Sequence, residues 1–310
     1  MFADVEPLLA GADLAICHLE SPIAPIGGEL FSYPKYQVPQ QLAPALAYGG
    51  YDACSTASEH VFDGGAEAVN ATVAALEAQG ILQSGMARTP DEIKPLPTEV
   101  GGVVVAHLAY TLRYDSKPNI GEEWRSALID IPRIIEDARQ ARSLGAQAVI
   151  LSIHWGNEDS ARPTDEQRRW AEELTASGQI DVIVGAHSHV LQPIEQINGV
   201  WVMFSLGNFL TNMPTKAARP AQGQDGAIVT ITLTPAPNRR VTVGQPVVYP
   251  TWVDKQADFT IRDLSVDLAA NSAIEAGVPV ARWNAARASL KRTRQILGDS
   301  LLIPGPYLED

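Results

Sequence analysis

Ile180-Asp-Val-Ile-Val-Gly-Ala-His-Ser-His189 runs from a short apolar segment straight into two imidazoles. The run Ile180 to Val184 reads as a buried strand, ended by Gly185. His187 and His189 lie two residues apart just beyond it, where a tight turn can aim both rings at one point. Neutral imidazole is the commonest protein ligand for zinc, iron and manganese-type ions. A second strand end of the same kind lies upstream, where Ala148-Val-Ile-Leu-Ser-Ile153 leads into His154-Trp155-Gly156. Three of the six histidines therefore sit at the ends of apolar strands, the edge at which open α/β sheets bind ligands. One such histidine alone reads as a packed core residue. Three in this placement point to a metal site.

Outward from these two strands the chain alternates. Further strand-like runs lie at Leu14 to Cys17, Tyr51 to Ser55, Val103 to Leu108 and Val200 to Leu206. Helical spacing appears over Ala66 to Gln79, with Val69, Val73 and Leu76 on one face, and over Ile131 to Leu144, stopped by Gly145. Thr164-Asp-Glu-Gln167 reads as a capping box that opens a helix running to Gly178. Strand and helix in alternation predict an α/β fold. After Phe209 the texture changes. Ala227 to Leu233 alternates, Pro235 to Asn238 turns and Val241 to Tyr249 alternates again, which predicts a β-hairpin. Gly27 to Pro44, rich in Pro, Gly and Gln, predicts a long loop. Pro279 to Leu297 predicts a terminal helix packed by Val280, Trp283, Leu290 and Leu297, with Arg282, Arg287, Lys291, Arg292 and Arg294 solvated.

The bulk numbers exclude several classes. A chain of 310 residues with 45% hydrophobic content can bury a sizeable core. Its net charge of −13 argues against a nucleic-acid binder. No apolar run approaches the length a membrane helix needs, and the start, Met1-Phe-Ala-Asp-Val-Glu6, lacks the signal-peptide pattern. Cys17 and Cys54 lie in apolar strand-like runs and read as buried small hydrophobes, not as a disulfide framework.

Four further segments join the histidine clusters. Asp13-Leu-Ala-Ile-Cys-His-Leu-Glu20 delivers His18 and Glu20 to a strand end. Ser55-Thr-Ala-Ser-Glu-His-Val-Phe-Asp63 delivers Glu59 and His60 into a loop before a helix. Gly185 to Glu195 continues as Val-Leu-Gln-Pro-Ile-Glu, and Ser205-Leu-Gly-Asn208 ends a later strand. Together with His154-Trp-Gly156, Asp225-Gly226 and Tyr249-Pro-Thr-Trp252, these segments resemble the CapA-type poly-γ-glutamate capsule-biosynthesis family, a branch of the calcineurin-like metallophosphoesterases. The resemblance covers roughly residues 4 to 255.

The resemblance implies a fold of two packed β-sheets flanked by helices, in αββα layers, lacking the family's first strand. It implies a metallophosphoesterase-like domain over residues 1–255 and a C-terminal helical extension over 256–310. One or two divalent ions, manganese, iron or zinc, would be held by Glu59, His154 and His187 on one side and by Glu20 and His189 on the other. His60 would be the catalytic acid, and Asn208 would support the site. The alternatives read from the residues alone stay open: Glu20 could cap a turn at Ser21-Pro22, and His60 could belong to the helix start. Asp63 reads as ordering the loop beside Gly64, and His107 as a packed strand histidine.

Three departures from the family pattern carry expectations. The family opens with a strand ending in Gly-Asp, whose Asp binds metal, so the first metal site is expected to be incomplete or the chain to be truncated upstream. Glu59 stands where the family has Asn. His18 also replaces an Asn, either as a third ligand or as outer support. The implied function is a metal-dependent hydrolase linked to capsule or cell-envelope polymer synthesis, with an anionic substrate or polymer and membrane-associated biosynthetic partners. A non-catalytic member that binds an anionic polymer is the alternative, with Arg113 or Arg162 offsetting the acidic charge. The resemblance implies the cell envelope if a segment lies upstream.

Overall fold

The computed structural model describes residues 1–213, 221–237, 240–270 and 272–305. The elements in order are α1 (Glu6–Leu9), β1 (Ile16–His18), α2 (Leu42–Tyr48), β2 (Ala53–Ser55), α3 (Gly65–Glu77), β3 (Leu82–Ser84), β4 (Thr98–Val100), β5 (Val103–Thr111), α4 (Ile131–Ser143), β6 (Ala148–His154), α5 (Asp165–Ala176), β7 (Val182–Ala186), β8 (Ile194–Ile197) and β9 (Val200–Met203). They continue with β10 (Asp225–Thr230), β11 (Leu233–Pro235), β12 (Val241–Val243), β13 (Val247–Asp254), β14 (Thr260–Asp263), α6 (Leu264–Asp267), α7 (Ala273–Ala276) and α8 (Val280–Leu297).

Six strands form the main sheet in the order β4-β5-β6-β7-β9-β8. Its centre, β5 to β9, is parallel, and both edges are antiparallel. The two-residue period of a strand divides its side chains between two cores. Val149, Leu151 and Ile153 of β6, Ile183 of β7 and Val202 of β9 face α4 and α5. Val182 and Val184 of β7 and Met203 of β9 face the opposite way, onto β10, β13 and α8, while Ala148 and Ile150 of β6 meet Leu233 and Val241. His154 falls in the second series, so the alternation that buries the sheet also aims this ring between the layers.

Opposite the main sheet lie three smaller ones: β1-β2-β3, all parallel, the antiparallel β10-β13-β14, and the pair β11-β12. Helices α2 and α3 cover the first through Leu46, Ala75 and Leu76, and α6 and α8 cover the second through Leu264, Trp283 and Leu290. The result is the α/β fold that the alternation predicted, with the sheets flanked by helices as the resemblance implied.

Local chemistry sets the helix bounds. At α5 the Thr164 hydroxyl accepts from Gln167 N at 3.1 Å while Gln167 Oε1 accepts from Thr164 N at 2.9 Å, the expected capping box. At α4 the Asp130 carboxylate accepts from Arg133 N, and Ile131, Ile134, Ala138 and Ala141 form the buried stripe. The predicted hairpin forms as two paired stretches, β10 with β13 and β11 with β12. Its turn includes Asn238, which lies outside the described residues. The long loop from Gly27 closes earlier than expected, at Leu42, where α2 begins.

Three expectations need correction. Cys17 and Cys54 form a disulfide. They are register partners on the adjacent parallel strands β1 and β2, which puts their side chains on one face of the sheet; two such thiols in neighbouring runs are more than small hydrophobes. Val280 is 62% exposed, and the buried stripe of α8 begins one turn later at Trp283. The basic side chains of α8 are not simply solvated: Arg292 holds the buried Asp225 at 2.6 and 2.7 Å, Arg282 holds Asp267 at 2.8 Å, and Arg294 holds Asp299 at 2.8 Å. That helix contains no acid, and carboxylates from elsewhere in the chain supply the counter-charge.

Candidate metal centre

The strand ends converge. β1 ends at His18 and is followed by Glu20. β2 ends at Ser55, and the turn beyond it carries Glu59 and His60. β6 ends at His154, and the turn after β7 carries His187 and His189. Six of these side chains form three overlapping triads whose ligand atoms all lie within 4.8 Å of one another: Glu59 with His154 and His187; His18 with Glu20 and His154; and Glu20 with Glu59 and His189. Every residue expected to bind metal is in one of them, and His18 joins the set.

The turn after β7 holds its two rings at a conformational cost. His187 has φ 99° and His189 φ 56°, a region that residues with a Cβ rarely adopt. The turn is anchored beneath by Gly185, where a Cβ would stand 2.1 Å from Phe204 O and 2.4 Å from Trp155 Nε1. Trp155 itself donates to Phe204 O at 2.9 Å. The Ser188 hydroxyl donates to Val190 O at 2.7 Å.

Glu59 is the hub. It is 2% exposed, its Oε2 contacts His154 Nε2, and its Oε1 lies 3.1 Å from His187 Nδ1. His187 Nδ1 has no aligned hydrogen-bond partner although it is buried. Burial pushes the Glu59 carboxyl up, but the His154 and His187 rings outweigh burial and hold it far below the usual carboxylate range. A buried carboxylate between two imidazoles, one with an unsatisfied ring nitrogen, fits a divalent ion by donor type and charge. The second group is more open. Glu20 Oε1 lies 3.8 Å from His189 Nε2, and His189 Nδ1 lies 3.1 Å from Asn208 Oδ1. Burial lowers His189, but Glu20 and the Asn208 bond raise it above its ordinary value.

His18 bridges the groups. Its Nδ1 lies 2.8 Å from Ser55 Oγ and its Nε2 2.9 Å from His154 Nδ1. Burial, then the neighbouring His154, drives its pKa well down, so His18 is neutral. Among the expected roles, this geometry matches both an outer support of His154 and a ligand beside Glu20.

His60 stands beside the triads without belonging to any of them. Its Nδ1 bonds Asp63 Oδ2 at 2.7 Å, and its Nε2 lies 3.8 Å from Glu59 Oε1. Burial lowers His60, but the Asp63 bond, then Glu59, outweigh it and hold the ring above its ordinary value. Asp63 is fixed by three donors or partners: His60, the Tyr36 backbone N–H at 2.9 Å and the Ser116 hydroxyl at 2.8 Å. It orders its loop, as expected, and it also sets the His60 ring. The Tyr36 ring meets His60 edge-on with centroids 4.7 Å apart. Gly64 admits this loop, because a Cβ there would overlap Gln37 Oε1. Tyr36, Asp63 and Ser116 were not identified as one network from sequence, since they come from three loops with no shared period.

Arg113 was one cation expected to offset the acidic charge. It lies 3.1 Å from Asp115 and 3.8 Å from Glu158, so its charge is already met within the chain. The cluster opens on a cavity of about 1140 Å³ that runs between the layers, with His18, Glu20, His154, His187, His189 and Asn208 at its polar end.

The chain is similar to known proteins over about two thirds of its length. The PGA biosynthesis protein CapA of Bacillus subtilis (strain 168) is 28% identical over 227 residues, 68% of this chain and 56% of that protein. The capsule biosynthesis protein CapA of Bacillus anthracis is 25% identical over 221 residues, 68% of this chain and 53% of that one. The chain thus spans about half the length of these curated relatives. Among solved structures, the calcineurin-like phosphoesterase YfkN from Bacillus subtilis is similar with a TM-score of 0.45 and 14% identity, over 83% of this chain and 73% of that one. The NAD nucleotidase NadN from Haemophilus influenzae gives 0.44 and 13%, over 86% and 50%. A family model described as bacterial capsule synthesis protein PGA_cap matches residues 1–213. That span holds every side chain of the cluster, from His18 to Asn208, and the chain belongs to the PGA_cap family of bacterial capsule synthesis proteins.

Proposed function

We propose that the cluster is the centre of a metal-dependent hydrolase of phosphoesters, linked to the synthesis of an anionic polymer of the capsule or cell envelope, poly-γ-glutamate or one like it. The observation that carries this reading is the buried Glu59–His154–His187 triad with the His60–Asp63 pair beside it. Imidazole and carboxylate donors suit manganese, iron or zinc. Such an ion, when bound, polarises a phosphoryl oxygen and acidifies a water. Glu59, His154 and His187 hold the first ion; Glu20 and His189 hold a second, weaker one, with His18 behind or beside them. His60, raised by Asp63, carries a proton at Nε2 and delivers it to the leaving oxygen. Asn208 orients His189 through its ring nitrogen, as outer partners of metal-binding histidines do.

A second reading has one observation in its favour. Glu59, buried within the cluster, stands where the family has Asn, and its added negative charge disfavours turnover of a phosphoester anion there. On that reading the domain binds an anionic envelope polymer without turnover. The compartment proposed for either reading is the cell envelope, supported by the Cys17–Cys54 disulfide, since such bonds persist where the surroundings are oxidising. No helix among the described residues is long and apolar enough to cross a membrane. Elemental analysis together with turnover of an aryl phosphate, before and after chelation, tests the proposal. Bound metal with chelator-sensitive turnover supports the hydrolase. Bound metal with no turnover favours the binder, and absence of metal overturns both metal-based roles.

A further inference from the structure

Two halves of the cluster meet at the seam between β1 and β2. His18 and Glu20 are carried by β1, and Glu59 and His60 by the turn after β2. Two of the three triads contain a β1 ligand: His18–Glu20–His154 and Glu20–Glu59–His189. The third, Glu59–His154–His187, contains none. Whatever fixes β1 against β2 therefore fixes the Glu20 side of the centre and leaves the buried triad to other elements.

Strand pairing alone holds β1 loosely. It has three residues, and among the described residues it pairs only with β2, in parallel. Parallel pairing is the slightly weaker kind, and short edge elements open locally at low cost. Ligand side chains must be held within about 0.5 Å of their working geometry. The Cys17–Cys54 crosslink joins the middle rung of this seam. The next rung is His18 opposite Ser55, where His18 Nδ1 lies 2.8 Å from Ser55 Oγ. The other nitrogen of that ring meets His154 Nδ1 at 2.9 Å. Further along, Leu19 N donates to Ser55 O at 2.9 Å, and Ser58 Oγ donates to Glu20 O at 2.6 Å. The covalent bond thus heads a run of contacts that ends on His18 and Glu20. Successive side chains of a strand point to opposite faces. Cys54 accordingly packs with Leu46 and Leu76 while His18 faces His154, so the sulfurs are not ligands. Cys54 is fully buried, but Cys17 is partly exposed and lines the cavity, within reach of a small dithiol.

We propose that the Cys17–Cys54 disulfide positions the Glu20 side of the centre: with it the second divalent ion binds, and without it only the ion of the buried triad does. This rests on the metal-binding part of the function proposed above and not on turnover. The bond forms by thiol–disulfide exchange. The two thiols give two protons and two electrons to an external disulfide, which leaves as a dithiol, and reduction by a dithiol runs the same step backwards. The centre is therefore completed only where the surroundings oxidise thiols. A chain in a reducing compartment carries the buried ion alone.

Manganese is the probe, since thiolates prefer softer ions. Calorimetric titration of the oxidised 310-residue chain should show two manganese sites. Under excess dithiothreitol the weaker site should lose at least about tenfold in affinity, as when an outer support is removed, and the tighter one should change by less than about threefold. Electron paramagnetic resonance should show coupled manganese ions in the oxidised protein and isolated ones in the reduced protein, a signature that a general loss of stability does not produce. Linkage is reciprocal, so saturating manganese should raise, by the same factor, the ratio of reduced to oxidised dithiothreitol at which half the disulfide opens. Cys17→Ala/Cys54→Ala should match the reduced protein and ignore dithiothreitol. Reduction of the wild type decides the matter even if that variant fails to fold. No manganese on the oxidised chain would overturn the metal reading and this proposal with it. A single site in both redox states, two sites unchanged by reduction, or equal weakening of both would overturn the proposal alone.

Discussion

Replacing Glu59 by Gln tests the centre at its hub. The substitution keeps size and removes the charge that His154 and His187 share. Both carboxylate oxygens are committed to those rings, and the group is only 2% exposed, so no water can take its place cheaply. Loss of outer partners alone typically costs about 10–100-fold in metal affinity; for the central carboxylate, about 100-fold is a lower bound. An ion at 100 times its Kd stabilises the fold by about 2.7 kcal/mol. The same ion at the same concentration would stabilise the variant by roughly 0.4 kcal/mol, a deficit of about 2.3 kcal/mol. Unfolding entropy of about 2.1 cal/mol/K per residue over 310 residues makes that deficit a Tm difference of about 3–4 °C. Scanning calorimetry of both proteins with and without manganese or zinc reads it directly. The metal-induced rise in Tm should be present in the wild type and nearly absent in Glu59→Gln. Equal rises in the two proteins would refute the assignment of Glu59 as the hub.

Three more outcomes follow from other parts of the structure. His60→Ala should retain its metal by elemental analysis and lose about 10²–10⁴-fold in turnover, since His60 bonds Asp63 and not the ligand rings; metal loss in step with activity would reject that role. Removing the disulfide in a Cys17→Ala/Cys54→Ala variant frees a crosslink spanning 37 residues, and the chain-entropy account puts the loss at up to about 4 kcal/mol in urea unfolding; an unchanged midpoint would show that the bond constrains little. Burial pushes His107 down to about 4, so below its ordinary value of 6.5 the unfolded chain takes up the proton first. Stability is full above pH 6.5 and falls toward pH 4, by at most about 3 kcal/mol, and His107→Gln should flatten that stretch of the pH–stability curve.

The main sheet and the histidine set were legible because each signal is local. A run of four to seven apolar residues ending in His needs no knowledge of its neighbours, and β6 and β7 deliver His154, His187 and His189 as their runs imply. The capping box at Thr164 is equally local. The disulfide was not legible, because it depends on Cys17 and Cys54 standing opposite each other in a register fixed by two separate strands. The Tyr36–Asp63–Ser116 support of His60 was missed for a related reason: its members come from loops, where no periodicity announces a contact. The counter-charges of α8 were missed because Asp225 and Asp267 are remote in sequence from Arg292 and Arg282.

Backbone conformation links the legible part of the site to its chemistry. Gly185-Ala-His-Ser-His189 reads as a motif of side chains, yet what the chain must supply there is two non-glycine residues at positive φ, each costing of order 1–3 kcal/mol. Glycine at either position would relieve the strain and lose the ring. The strain persists because the turn is over-determined: Gly185 is seated against Phe204 and Trp155, Ser188 closes on Val190 O, and Asn208 meets His189. A packed core histidine needs none of this. Two strained histidines, held by three separate contacts and facing the buried Glu59 and the half-buried Glu20, are the arrangement expected where ring placement matters more than local stability.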